Sequence, residues 1–155
     1  MFKKISILLT LVLISNCGFK VVNFSEVNNF NISEISSSGN TKINYKIKNK
    51  IKYLSKNESK NLISLDFNTV KKRTVIEKNI KNEITKYQIE IAVNVELYEI
   101  INDKISKFQV SKVGNYNVSK QYSQTLNNEK KTVELLSNEI VNEILEEVNL
   151  RIDDL

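Results

Sequence analysis

Two stretches hold the residues whose types and spacing could do chemistry. The first is Lys71-Lys72-Arg73, the densest basic cluster of the chain. Such a run can grip phosphates, because a guanidinium offers forked hydrogen bonds and an ammonium offers a compact point charge. The second is Cys17, the single cysteine, which closes the run "ISILLTLVLISNC". A cysteine directly behind an apolar run is the arrangement that lipoprotein signal peptidase reads. Cleavage before it and acylation of its sulfur turn it into a membrane anchor.

The remaining inventory argues against catalysis. Histidine is absent, and the three glycines, Gly18, Gly39 and Gly114, are too scattered to form a phosphate loop. Without histidine and with one cysteine, a Cys/His metal site is impossible, and no Asp/Asn-Gly calcium loop is visible. Adjacent acids such as Glu146 and Glu147 read as a solvated helix face, and nothing points to a glycosidase-like pair of carboxylates. The expectation is a non-enzyme with no catalytic residue, no metal and no cofactor beyond a covalent lipid, palmitate among its acyl chains, on Cys17.

"MFKK" followed by "ISILLTLVLI" forms the basic and apolar regions of an export signal, too short for a membrane span of about 20 residues. Residues 1–16 are therefore expected to be a lipoprotein signal peptide, residues 17–29 a lipidated tether, and residues 30–155 one domain. Asn16 departs from the small residue usual before the modified cysteine, whereas Ile14 and Ser15 fit. Two acyl chains hold a protein on a bilayer nearly irreversibly, since each buried methylene contributes about 0.8 kcal/mol. Gly18, in place of an aspartate, leaves open the onward route to the outer membrane of a Gram-negative cell.

Lys and Arg number 23 against 18 Asp and Glu, a net charge of +5. Loss of Lys3 and Lys4 with the signal leaves 21 against 18, a net +3. That excess is mild, and an exported chain disfavours nucleic acid as partner.

The elements that must position these groups follow from periodicity. A strand is expected around Phe30–Ile35, after which "SSSGN" punctuates the chain. "TKINYKIKNKIKYLS" fits two periods: Ile43, Ile47, Ile51 and Leu54 share a helical face, while Ile43, Tyr45, Ile47, Ile51 and Tyr53 also alternate with lysines. The narrow aliphatic stripe and the length favour the helix, edged by Lys42, Lys46, Lys48, Lys50 and Lys52. "NLISLDFNTV" alternates as a half-wet strand, with the basic cluster expected at its end. "KYQIEIAVNVELYEI" alternates most clearly, with Tyr87, Ile89, Ile91, Val93, Val95 and Leu97 on one side. "INDK" turns the chain into a further strand in which Gly114 reads as a bulge or kink. From Asn127 the period becomes helical, with Val133, Leu136, Ile140, Ile144, Val148 and Ile152 in one stripe. The order β-α-β-β-β-α gives an α+β fold: a two-layer sandwich with a four-stranded sheet covered by two helices.

Three places resemble the LptE family of lipopolysaccharide-assembly lipoproteins of the Gram-negative outer membrane. "CGF" at Cys17 resembles the family's lipidated start. "KYQIEIAVNVELYEI" is similar to its long central strand, and "NYNVSKQYSQTLNNEKKTVELLSNEIVNEILEEVNLRI" to its last strand and C-terminal helix. The alanines usual near the start of that helix are here Leu126, Asn127, Asn128 and Lys131. The resemblance implies an outer-membrane, periplasm-facing protein, tethered by Cys17 to the inner leaflet, that plugs and helps assemble the LptD β-barrel and takes part in lipopolysaccharide transport. Lys71, Lys72 and Arg73 are then the expected lipopolysaccharide contacts. An accessory lipoprotein of another outer-membrane assembly or envelope-stress complex is the alternative.

Overall fold

A computed structural model describes residues 30–55 and 59–153, so Cys17, the expected signal and the expected tether lie outside the described residues. The elements follow the expected order: β1 (Asn31–Gly39), α1 (Thr41–Leu54), β2 (Leu62–Lys78), β3 (Ile84–Glu99), β4 (Lys104–Asn117) and α2 (Tyr122–Asp153). The strands form one sheet in the order β1-β2-β3-β4, parallel between β1 and β2 and antiparallel elsewhere. Among the described residues the fold is α+β, a mixed four-stranded sheet with two helices.

Alternation along each strand sends one set of side chains toward the helices and the other away from them. Ile63, Leu65 and Phe67 of β2, Ile89 to Leu97 at odd positions of β3, and Val110 of β4 are buried on the helix side. Ile43, Ile47 and Ile51 of α1 and Leu136, Ile140, Val141, Ile144, Leu145, Val148 and Ile152 of α2 complete the core. Tyr45 and Tyr53, which the strand period would place with the isoleucines, are 69% and 73% exposed, so the helical stripe is the one realised. Asn40 caps α1 by accepting the Ile43 N–H at 3.2 Å.

Gly39 makes the junction from β1 to α1 possible. Its φ is +88°, and a Cβ there would lie 2.2 Å from the Thr69 carbonyl oxygen. The Asn40 N–H donates to that same oxygen at 2.9 Å, which pins the end of β1 to the middle of β2.

Four expectations need correction. "SSSG" does not punctuate the chain: β1 runs through Ser36–Ser38 to Gly39, held extended by parallel pairing with Asp66 to Thr69 of β2. The basic cluster does not end β2: the strand runs on to Lys78, with Lys71 opposite Ile91 and Lys78 opposite Ile84. Pairing with β3 holds this second half extended although neither of its faces is deeply covered. Gly114 is no bulge, since it pairs in unbroken register with Ile89. Close packing accounts for the glycine instead: a Cβ would meet Thr132 Cγ2 at 3.0 Å and Leu136 at 3.2 Å, so α2 crosses β4 closely there and a side chain would have to push these methyl groups aside. Helix α2 begins at Tyr122 rather than Asn127, because its first turns are mostly solvent-facing and carry no apolar stripe to mark them.

Candidate functional site

The pleat of β2 splits the basic cluster between the two faces of the sheet. Lys71 and Arg73 continue the inward series Ile63, Leu65, Phe67, Thr69, whereas Lys72 projects from the open face opposite Glu90 of β3. No single surface therefore presents all three charges.

On the helix side, Lys71 and Arg73 converge on Glu129 of α2. Lys71 Nζ makes a close ion pair with Glu129 Oε1, and an Arg73 guanidinium nitrogen lies 3.5 Å from Glu129 Oε2. The Tyr116 hydroxyl donates to Glu129 Oε2 at 3.1 Å. Tyr116 stacks on Tyr87 with ring centroids 5.5 Å apart, and the Arg73 guanidinium lies 4.8 Å from the Tyr87 centroid. Burial pushes the Glu129 carboxyl up, but the Lys71 hydrogen bond and charge, the Tyr116 hydroxyl and the Arg73 charge outweigh it. Glu129 is thus held below the usual carboxylate range. Burial raises the Tyr116 phenol, with Glu129 adding to the rise and Arg73 opposing it.

Lys71 also enters a groove of about 380 Å³ between α1, β2 and α2. Its lining combines the apolar side chains Ile43, Leu126 and Val133 with four lysines, Lys42, Lys46, Lys71 and Lys130, of which Lys71 has its ammonium on Glu129. Glu129 is the one carboxylate among the lining residues. Apolar side chains beside several lysines suit an amphiphile with an anionic head, the ammonium groups meeting phosphate or carboxylate while a hydrocarbon chain lies on the apolar surface. Of the expected helix lysines outside the groove, Lys50 donates to Asn138 of α2 at 2.9 Å; Lys46 of the groove also lies 4.0 Å from Glu134.

The open face of the sheet is the second feature. Ser38, Asp66, Asn68, Asn94, Glu96, Lys107 and Gln109 line a shallow concavity of about 480 Å³ across all four strands. Asn68 donates to Ser38 Oγ at 2.8 Å, and Lys107 pairs with Glu96 at 2.8 Å. With Glu96 and Lys107 paired, Asp66 the remaining charge of the lining and short polar groups around it, the face offers hydrogen-bonding groups while presenting little net charge. Such a surface fits a protein partner better than an isolated ion.

Sequence reasoning reached Lys71 and Arg73 but not Glu129, Tyr116, Tyr87 or Lys130. A signal for Glu129 existed: it stands one helical turn before Val133 on the stripe that faces the sheet. Lys71 likewise falls on the inward alternation of β2, which aims it at α2.

No protein-family model matches the sequence. No curated protein matches it by sequence. Solved structures share its fold. A candidate lipoprotein of Caulobacter crescentus is similar at a TM-score of 0.58 with 12% identity, over 77% of this chain and 90% of that one. The rare lipoprotein B of Shewanella oneidensis gives 0.50 and 10% identity over 78% and 94%. A minor lipoprotein of Acinetobacter baumannii gives 0.52 and 10% identity over 76% and 93%.

Proposed function

We propose that this chain is a lipid-anchored outer-membrane lipoprotein of the LptE-like kind, periplasm-facing, that plugs and helps assemble an LptD-like β-barrel and contacts lipopolysaccharide on its way outward. The observation that carries this reading is the shared fold with rare lipoprotein B, a name of the LptE family, over nearly the whole of that structure. The sequence resemblance at "CGF", the central strand and the last helix supports the same family independently of the fold.

Two surfaces give the roles a physical basis. The open face of the sheet is extended, polar and nearly charge-balanced, as a surface packed against the inside of a barrel would be. The groove at Lys42, Lys46, Lys71 and Lys130 sets lysines beside apolar side chains, matching a glycolipid that carries phosphates and acyl chains. This moves the proposed glycolipid contact from the contiguous Lys71-Lys72-Arg73 run to Lys71 with its groove partners. Arg73 supports the site through Glu129 and Tyr87, and Lys72 belongs to the barrel-facing side. Cys17 as the lipidated residue supplies the tether, and no catalytic step is required of any residue.

Mild-detergent capture of the tagged full-length protein from envelopes, with identification of what comes with it, tests the reading. Recovery of a large LptD-like barrel in roughly equal amount is expected. Enrichment of a different assembly complex would favour the alternative accessory role instead.

A further inference from the structure

The two ends of the domain differ in a way that bears on how it meets a membrane. At one end lie Phe30, the start of β2, the β3–β4 turn and the end of α2. Phe30 is fully buried, and the Asn31 N–H donates to the Asn61 carbonyl at 2.7 Å, so the chain arriving from Cys17 is fixed to this end. The same end carries an apolar corner. Ile101 is 65% exposed in the turn, Ile105 is 56% exposed on the open side of β4 opposite Tyr98, and Ile100 is held beside them by its N–H bond to the Leu62 carbonyl at 3.0 Å. Lys60, exposed just before β2, and Lys104 at the start of β4 stand at this end, Lys104 with its ammonium 3.8 Å from the buried Glu99 carboxylate; the acid in the turn, Asp103, accepts the Tyr98 hydroxyl at 2.7 Å.

We propose that this corner, Ile100, Ile101 and Ile105 with Lys60 and Lys104 at the same end, seats on the bilayer surface that holds the acylated Cys17. The proposal rests on the reading of Cys17 as a lipid anchor, and its occupant is the lipid surface itself. Tether length decides which end is available. However residues 17–29 are arranged, their fully extended span is at most about 45 Å. The opposite end of the sheet, the tip of the β2–β3 hairpin, lies about 50 Å farther along β2. The domain therefore points its apolar corner, not its hairpin tip, at the membrane. Held there at high effective concentration, three isoleucines that would bind a bilayer weakly on their own are enough to fix the domain's orientation. The lysines can reach the headgroup phosphates while their stems lie along apolar surface.

The chain has no tryptophan, so a single introduced indole reports its own surroundings. Full-length Ile101→Trp and, as the opposite-end control, Ile80→Trp would be purified from a lipoprotein-processing host and placed in phosphatidylethanolamine vesicles containing some phosphatidylglycerol, with and without brominated acyl chains. Ile80 is fully exposed at the hairpin tip, and Ile101 is exposed in its turn, so neither change disturbs the core. Intact mass first establishes acylation. Absence of the lipid overturns the anchor reading and the proposal with it. With the lipid present, the expected result is a blue-shifted Ile101→Trp emission that brominated lipid quenches by at least half, and an Ile80→Trp emission that it leaves unchanged. Acylated protein in which neither indole is quenched, or in which only Ile80→Trp is, overturns the seating while leaving the anchor intact.

Discussion

The two faces of the one sheet are built from the same strands and differ in everything else. On the helix side, Ile89, Ile91, Val93 and Leu97 are fully buried. Alternating with them along β3, Gln88, Glu90, Ala92, Asn94 and Glu96 are half-buried or exposed. A two-residue period lets one strand specify a core and an open polar face, the proposed docking surface, at once, and a shift by a single residue would exchange them. Stability should therefore depend on the first face and partner capture on the second.

Mutations can break this division at either side, and the largest effect should come from the core. Phe67→Ala, at a side chain 1% exposed, should cost about 3–5 kcal/mol and lower the thermal or denaturant midpoint accordingly. Next is Glu129→Gln, at the seam where the helix side turns polar. Loss of the charged partner of Lys71 should cost roughly 1.5–3 kcal/mol near neutral pH. Because the folded-state carboxyl is held low, its stabilisation is present above the ordinary carboxylate value and is lost as pH falls through the folded-state value. The gap between wild type and Glu129→Gln in chemical denaturation should accordingly close on acidification. Tyr116→Phe, which removes one donor to the same carboxylate, should cost about 0.5–1.5 kcal/mol and raise the Glu129 pKa by NMR titration. Asn94→Arg on the open face should change stability by no more than about 0.5 kcal/mol while placing a bulky cation in the middle of the proposed barrel contact.

Local pattern carried most of the fold because most elements have one apolar face. Strand β3 and the stripe of α2 were legible for that reason, and the ambiguity at residues 41–54 was settled only by tertiary packing that buries Ile43, Ile47 and Ile51 and leaves Tyr45 and Tyr53 outside. The second half of β2 was not legible. "KKRTVIEK" lacks a covered face, and its extended state depends on β3, a partner reached through the hairpin. Gly114 was misread because the cause of the glycine, the side chains of Thr132 and Leu136, lies far along the chain. The site shows the same limit. Lys71 was visible as a charge, but its partner Glu129 stands 58 residues away, and a contiguous basic run concealed that the pleat sends Lys72 to the opposite face.

The most direct test of the central claim is to capture full-length wild type and Asn94→Arg side by side from envelopes and quantify the barrel that accompanies each. Wild type should bring an LptD-like barrel in near-equal amount, and Asn94→Arg should lose most of it at an unchanged melting temperature. Equal recovery with both proteins would contradict a docking role for the open face, and no barrel with wild type would contradict the plug itself.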